Sequence, residues 1–298
     1  PDRCWIVWRL SSSPAILMKK SFSENKIRHI LLKGSVMKEL YPISDIRYMC
    51  DVDMVIDPEN ANKVRDIMVK LGYDVKAFNQ RNDDEYTKKP IMNVEIHNYI
   101  FSDASFVGQS FYKLFEKPFE VTEKLTDYTY VLNKTHFFLH LLTHTAKHYL
   151  NGGIGFRAFM DIYLFHNKYR EEIDSEALDT ALTKTKYSKL CKDFIEISYM
   201  WFGEKEYDSK FDEITEYIFK GGSFGTVTAQ AETHVKEQGK LKFLLTNMFP
   251  NFSFMRMSYP ILNKLPFLYP FMIIWRLITR PFSKGNKTKA KLKALFKK

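Results

Sequence analysis

The chain has 298 residues, 45% of them hydrophobic and 27% charged, which is ample for a buried core and excludes a disordered tail. Its formal charge of +10 suggests nucleic acid until it is localised: residues 284–298 hold seven Lys and no acid, leaving +3 on the remainder, so nucleic acid is disfavoured as a partner. Cys4, Cys50 and Cys191 have no metal-ligand or redox spacing and fit a reducing cytosol. Pro1–Leu10 lacks the apolar core of a secretory signal, and the uncharged stretch between Lys264 and Arg276 is too short and too Pro-interrupted to span a bilayer.

Residues 14–29 read as a helix whose apolar positions Ile16, Leu17, Phe22 and Ile27 would cover a strand at 30–33. Lys33-Gly34-Ser35 closes that strand with a tight turn into a helix at 36–40, and the run Asp51–Ile56 has strand composition. Asp57-Pro58 starts a helix predicted over 58–71 that stops at Gly72, and residues 72–75 return to extended backbone. Residues 79–90, rich in Asn, Asp and Lys, read as a loop or hairpin connection before a strand ending at His97. From 107 to 128 the pattern weakens. A helix over 135–150 then carries His136, His140, His144 and His148 at intervals of four; neighbours meet, but one helix cannot turn all four toward a single metal. A further helix opens at Phe156, with Arg157 and Asp161 one turn apart, and helices follow over 176–185, 188–202 and 207–219. Residues 221–226 are Gly-rich but lack the Lys of a phosphate loop and follow a helix, so they read as a helix–helix turn. The aromatic and Pro-rich arm from 241 to 282 leaves two readings open: core packed across the body, or a segment lying in a membrane interface beside the Lys-rich end.

The chemistry concentrates between residues 31 and 97. Residues two apart in a strand share a face, which puts Asp51 and Asp53 together about 7 Å apart along the chain. Two carboxylates there would repel by about 3 kcal/mol near 5 Å at an effective dielectric of 20. A divalent cation removes that penalty, and hard oxygen ligands suit Mg²⁺. The same periodicity places Glu95 and His97 on one face of a later strand, making Glu95 a candidate third ligand. Backbone N–H groups at the Gly34-Ser35 turn are candidate phosphate donors.

This order of elements resembles the DNA polymerase β-like nucleotidyltransferase superfamily, whose pattern is a hydrophobic residue, Gly, Gly or Ser, a spacer, an Asp-hydrophobic-Asp pair and one later carboxylate. The wording Leu31-Leu32-Lys33-Gly34-Ser35, Leu40-Tyr41-Pro42, Arg47, Asp51-Val52-Asp53 and Val94-Glu95-Ile96-His97 looks like a bacterial branch described simply as nucleotidyltransferase family proteins. The resemblance covers about residues 25 to 100 and thins out toward 165. It implies an α+β fold: a small mixed-sheet core with packed helices over 1–105, a helical acceptor-side region over 106–240, and the arm and Lys-rich tail over 241–298. It implies transfer of a nucleoside monophosphate from an NTP to a hydroxyl of a small or carrier-linked acceptor, in the cytoplasm or at the inner membrane surface. Asp51 and Asp53 would bridge two Mg²⁺ ions, with Glu95 as a ligand and general base. Lys33, Gly34, Ser35 and Arg47 would hold phosphates, with His97, His148, Arg157 and Asp161 toward the acceptor. The competing expectation is a catalytically silent nucleotide-binding or interaction protein of the same fold.

Overall fold

A computed structural model of the chain describes residues 16–43, 46, 47, 49, 51–79, 82–89, 92–221 and 227–279. The turn at 222–226, the tail at 284–298, Cys4 and Cys50 lie outside them. The chain divides into two compact units. The first comprises Pro1–Ser102, Tyr112–His140 and Leu164–Ala181, and the second comprises Asp103–Phe111, Leu141–Tyr163 and Leu182–Lys298.

The first unit is built on a seven-stranded mixed sheet in the order β3-β4-β5-β2-β1-β7-β6. Its strands are β1 (His29–Leu31), β2 (Asp51–Ile56), β3 (Asp74–Ala77), β4 (Asp83–Lys88), β5 (Met92–His97), β6 (Thr122–Lys124) and β7 (Thr129–Leu132). β2 runs parallel to β5 and β1 parallel to β7; the other neighbours are antiparallel. With its packed helices, and with the helical remainder of the chain, the fold is α+β as predicted.

Alternation along β2 divides its side chains between two faces. Val52, Met54 and Ile56 join Leu31, Val94 and Ile96 in a core covered by helix α1 (16–24) through Met18 and Phe22, and by helix α3 (Ala61–Lys70) through Ala61, Val64, Ile67 and Met68. Asp51 and Asp53 are left to the opposite face. A 3₁₀ turn (Pro58–Asn60) leads into α3, with Pro at the first position, where its missing N–H costs nothing. The helix stops where Gly72 takes a φ of +81°: the Tyr73 amide donates to the Met68 carbonyl and the Gly72 amide to that of Val69. This paired arrangement satisfies two carbonyls that the helix end would otherwise orphan.

Three features depart from the sequence reading. Ile16 and Leu17, expected to cover the sheet, are exposed, because the α1 face turned inward is that of Met18 and Phe22. The polar 79–90 segment contains β4, a strand flanked on both sides, which buries Asp84 and Tyr86 by period-two alternation. The weakly patterned stretch 107–128 contains β6, and β7 follows directly after it; together they extend the sheet beyond β1. Short strands of three and four residues hold too few alternations to stand out in a sequence.

In both units helices follow. Those described are α2 (Gly34–Met37), α4 (Gly108–Tyr112), α5 (Lys134–Leu150), α6 (Arg157–Tyr169), α7 (Ser175–Thr183), α8 (Ser188–Phe202), α9 (Asp212–Gly221), α10 (Val227–Gln238), α11 (Lys240–Met248), α12 (Phe252–Ser258) and α13 (Tyr269–Thr279). In the second unit α8 buries Cys191, Phe194 and Ile197, with the Phe194 ring edge-on to Tyr149 and Phe159. The arm packs partly on the preceding helix, with Phe243 against Ala231 of α10, and partly on itself, where Met255, Leu262 and Ile273 form a small cluster.

Candidate active site

The polar face of β2 is organised by its pairing with β5. In the parallel register Asp53 lies beside Glu95 and Val55 beside His97, so two strands bring a carboxylate, a second carboxylate and an imidazole to one patch. Lys33 comes from the end of β1, whose neighbour is also β2. The Leu32 amide donates to the Asp53 carbonyl and ties that chain end down.

Asp53 is 4% exposed and accepts two hydrogen bonds on the same oxygen. Lys33 Nζ donates to Oδ1 at 2.9 Å, and His97 Nε2 donates to it at 2.9 Å. His97 Nε2 also stands 3.7 Å from Glu95 Oε2. Burial alone would raise the Asp53 pKa. The Lys33 ammonium and the His97 hydrogen bond outweigh it and hold the carboxyl well below the usual carboxylate range. For Lys33, burial pushes the ammonium down, and the Asp53 charge more than reverses this. Glu95 moves the other way: half-burial and then the Asp53 charge lift its pKa above the ordinary value. The two carboxyls are thus driven apart, one fixed as the anion and the other more ready to take a proton.

Lys33 adopts φ +43° and ψ −117°, a left-handed backbone conformation that favours glycine. A lysine held there is backbone strain at a polar cluster, the setting in which strain accompanies function. Beyond it, the amides of Ser35, Val36 and Met37 donate to the carbonyls of Leu32 and Lys33. Those donors are engaged in the turn, so any phosphate contact there falls to the Gly34 amide and the Lys33 and Ser35 side chains. A Cβ added at Gly34 would meet Met49 Cγ at 3.1 Å, so the segment carrying Arg47 and Met49 returns closely over the turn. Arg47 is buried.

Asp53, Glu95 and His97 offer ligand atoms all within 4.8 Å of one another. Asp51 is outside that group. It is exposed at the start of β2, opposite Asn93, and acts on Lys33 and Glu95 through its charge. The hydrogen bond to Asp53 assigns the His97 proton to Nε2, and Nδ1 is buried with no hydrogen-bond partner among the described residues. His148, Arg157 and Asp161 belong to the second unit. There His148 Nε2 lies 3.0 Å from His144 Nε2, Arg157 is exposed, and Asp161 is buried. His136 is bound to its helix cap through Asn133 Oδ1, and the His140 ring packs against Phe101 and Phe115.

Reading the sequence missed how Lys33 is used. A basic residue beside a Gly-Ser turn suggests a phosphate ligand, and only the β1–β2 pairing reveals it as the cation of Asp53. His97 had a legible signal, its period-two relation to Glu95, but its partner is on another strand.

No curated protein matches the chain. A family model described as "Uncharacterised nucleotidyltransferase" matches residues 15–203, more than half of the chain, and covers every strand of the sheet and the whole Lys33–Asp53–Glu95–His97 cluster; the chain belongs to this nucleotidyltransferase family, with nucleotidyl transfer as its general activity and a nucleotide as its substrate.

Proposed function

We propose that the chain transfers a nucleoside monophosphate from an NTP to a hydroxyl of a small or carrier-linked acceptor, with pyrophosphate leaving, at the Asp53–Glu95 site. The observation that carries this reading is the in-register pairing of those two carboxylates, one held ionised and the other biased toward protonation. Groups whose environments push their pKa values apart are suited to separate roles. Asp53 offers a permanent anion. Glu95 is the general base that accepts the proton of the acceptor hydroxyl.

The donor set fits Mg²⁺: carboxylate oxygens of Asp53 and Glu95 lie within ligand reach of one another, and Asp53 already binds a cation in the form of Lys33. Asp51, Asp53 and Glu95 would hold two such ions, whose contribution when bound is to neutralise and orient the phosphate oxygens. His97 serves as a positioning residue: ligation through Nε2 would move its proton to Nδ1, a buried atom without a partner among the described residues. Lys33, Gly34, Ser35 and Arg47 would hold the β- and γ-phosphates.

One observation favours a second reading. The Lys33 ammonium occupies the Asp53 oxygen that an ion would use, which is the arrangement expected if the fold binds nucleotide without turnover. Pyrophosphate release in Mg²⁺, over a panel of NTPs and hydroxyl acceptors, separates the two. Release by the wild type that Asp53→Asn abolishes supports transfer. NTP binding without release, or equal release by the variant, supports the silent protein.

A further inference from the structure

Helix α13 is apolar on two opposite faces, and only one of them is packed. Ile273 and Arg276 are buried, with Tyr269, Met272 and Leu277 partly covered, against the cluster built by Met255 and Leu262. On the other side Phe271, Ile274, Trp275 and Ile278, at spacings of three and four, form a continuous exposed stripe; Phe271 is 66% and Trp275 58% exposed. Helix α11 repeats the arrangement. Phe243 points inward, while Leu241, Leu244, Leu245 and Met248 expose a second stripe at the same spacing. A helix stripe of this kind on a water-soluble surface marks an interaction site.

Charge identifies the occupant. Residues 240–298 contain thirteen Lys and Arg and neither Asp nor Glu, so the preceding 239 residues carry −3 of the total of +10. All of the chain's net positive charge therefore falls, in sequence, from residue 240 onward, and Lys240, Lys242, Arg256 and Lys264 are exposed in the same segment as the stripes. A second copy of the chain docking through this segment would set like charge against like. An anionic lipid surface offers opposite charge to the lysines and an apolar layer to the stripes, and apolar insertion plus a polybasic stretch are the paired signals for stable peripheral binding. Among the described residues no helix is long and apolar enough to cross a membrane.

We infer that the 240–279 segment is a peripheral docking surface for anionic membranes, with the α11 and α13 stripes lying in the interface plane. The test is flotation of the full chain with vesicles of phosphatidylcholine alone and of equimolar phosphatidylcholine and phosphatidylglycerol, at low and high salt. Binding is expected to the anionic vesicles, weakened by salt, and reduced about tenfold or more in a double variant carrying Phe271→Ser and Trp275→Ser. The blue shift of tryptophan fluorescence on adding anionic vesicles should disappear in Trp275→Phe, a change too conservative to disturb the fold. Absence of flotation, equal binding to neutral vesicles, or undiminished binding by the double variant overturns the proposal. So does concentration-dependent self-association that the double variant abolishes while vesicles remain unbound, an outcome that assigns the stripes to a second copy.

Discussion

Lys33→Met removes the ammonium from Asp53 while keeping the length of the stem, and its cost is set by what remains. At 2.9 Å the Lys33–Asp53 attraction amounts to about 6 kcal/mol at an effective dielectric of 20, before desolvation is counted. Removing one partner of a buried pair typically costs 3–5 kcal/mol, because the other charge stays buried without compensation. The Lys33 side chain keeps 20% of its exposure and His97 still donates to Asp53, so the expected loss is about 3 kcal/mol, at the lower end. In the wild type the depressed Asp53 pKa contributes stability that is full above the unfolded carboxylate value and is lost as the pH falls toward the folded one. In the variant the folded pKa rises, so Asp53 takes up its proton at a higher pH than in the wild type. The stability gap should therefore be widest at neutral pH and close on acidification. Urea unfolding of both proteins in chelator-containing buffer, from neutral to about pH 4, measures it. A gap below about 0.5 kcal/mol at neutral pH, or one of equal size in acid, would refute the assignment of Lys33 as the counter-charge.

Three further outcomes follow from this cluster and the turn beside it. Glu95→Gln should lower pyrophosphate release by about 10²-fold or more while NTP affinity changes little, as expected for loss of a general base; parallel losses in binding and turnover would contradict that role. His97→Leu, which leaves one hydrogen bond to Asp53 unmade, should destabilise the protein by about 1–3 kcal/mol, and His97→Gln should recover part of this by restoring a donor. Equal stability of the two variants would show that the ring acts by packing alone. Gly34→Ala pushes a methyl to 3.1 Å from Met49 Cγ, and this crowding opposes the gain of about 1 kcal/mol that Ala brings to a helix. A net loss of about 1 kcal/mol is expected, turning into a gain when the substitution is repeated in a Met49→Ala background; chemical denaturation of the four proteins closes that cycle.

Much of the first unit was legible because its elements carry strong local signals. β2 occupies Asp51–Ile56 as its alternation predicts, and α3 is bounded by Pro58 and Gly72, residues whose backbone restrictions act within one or two positions. Periodicity within each strand put Asp51 with Asp53 and Glu95 with His97, while the meeting of Asp53 and Glu95 required the parallel register of β2 on β5. β4, β6 and β7 were hidden for a different reason. β4 is polar because only alternate positions are buried, and the other two are too short to display a period.

Alone, the order of residues determined the strand carrying Asp51 and Asp53, the helix after it, the later strand carrying Glu95 and His97, and the concentration of positive charge toward residue 298. These depend on local geometry and composition, which act over a few residues. Only the tertiary structure decided that Lys33 neutralises Asp53, that His97 hydrogen-bonds to Asp53 from another strand, and that Asp51 stands exposed beside the cluster. Those outcomes depend on which strands become neighbours and in what register, and that choice is made by burying Val52, Met54, Val94 and Ile96 together on the opposite face of the sheet.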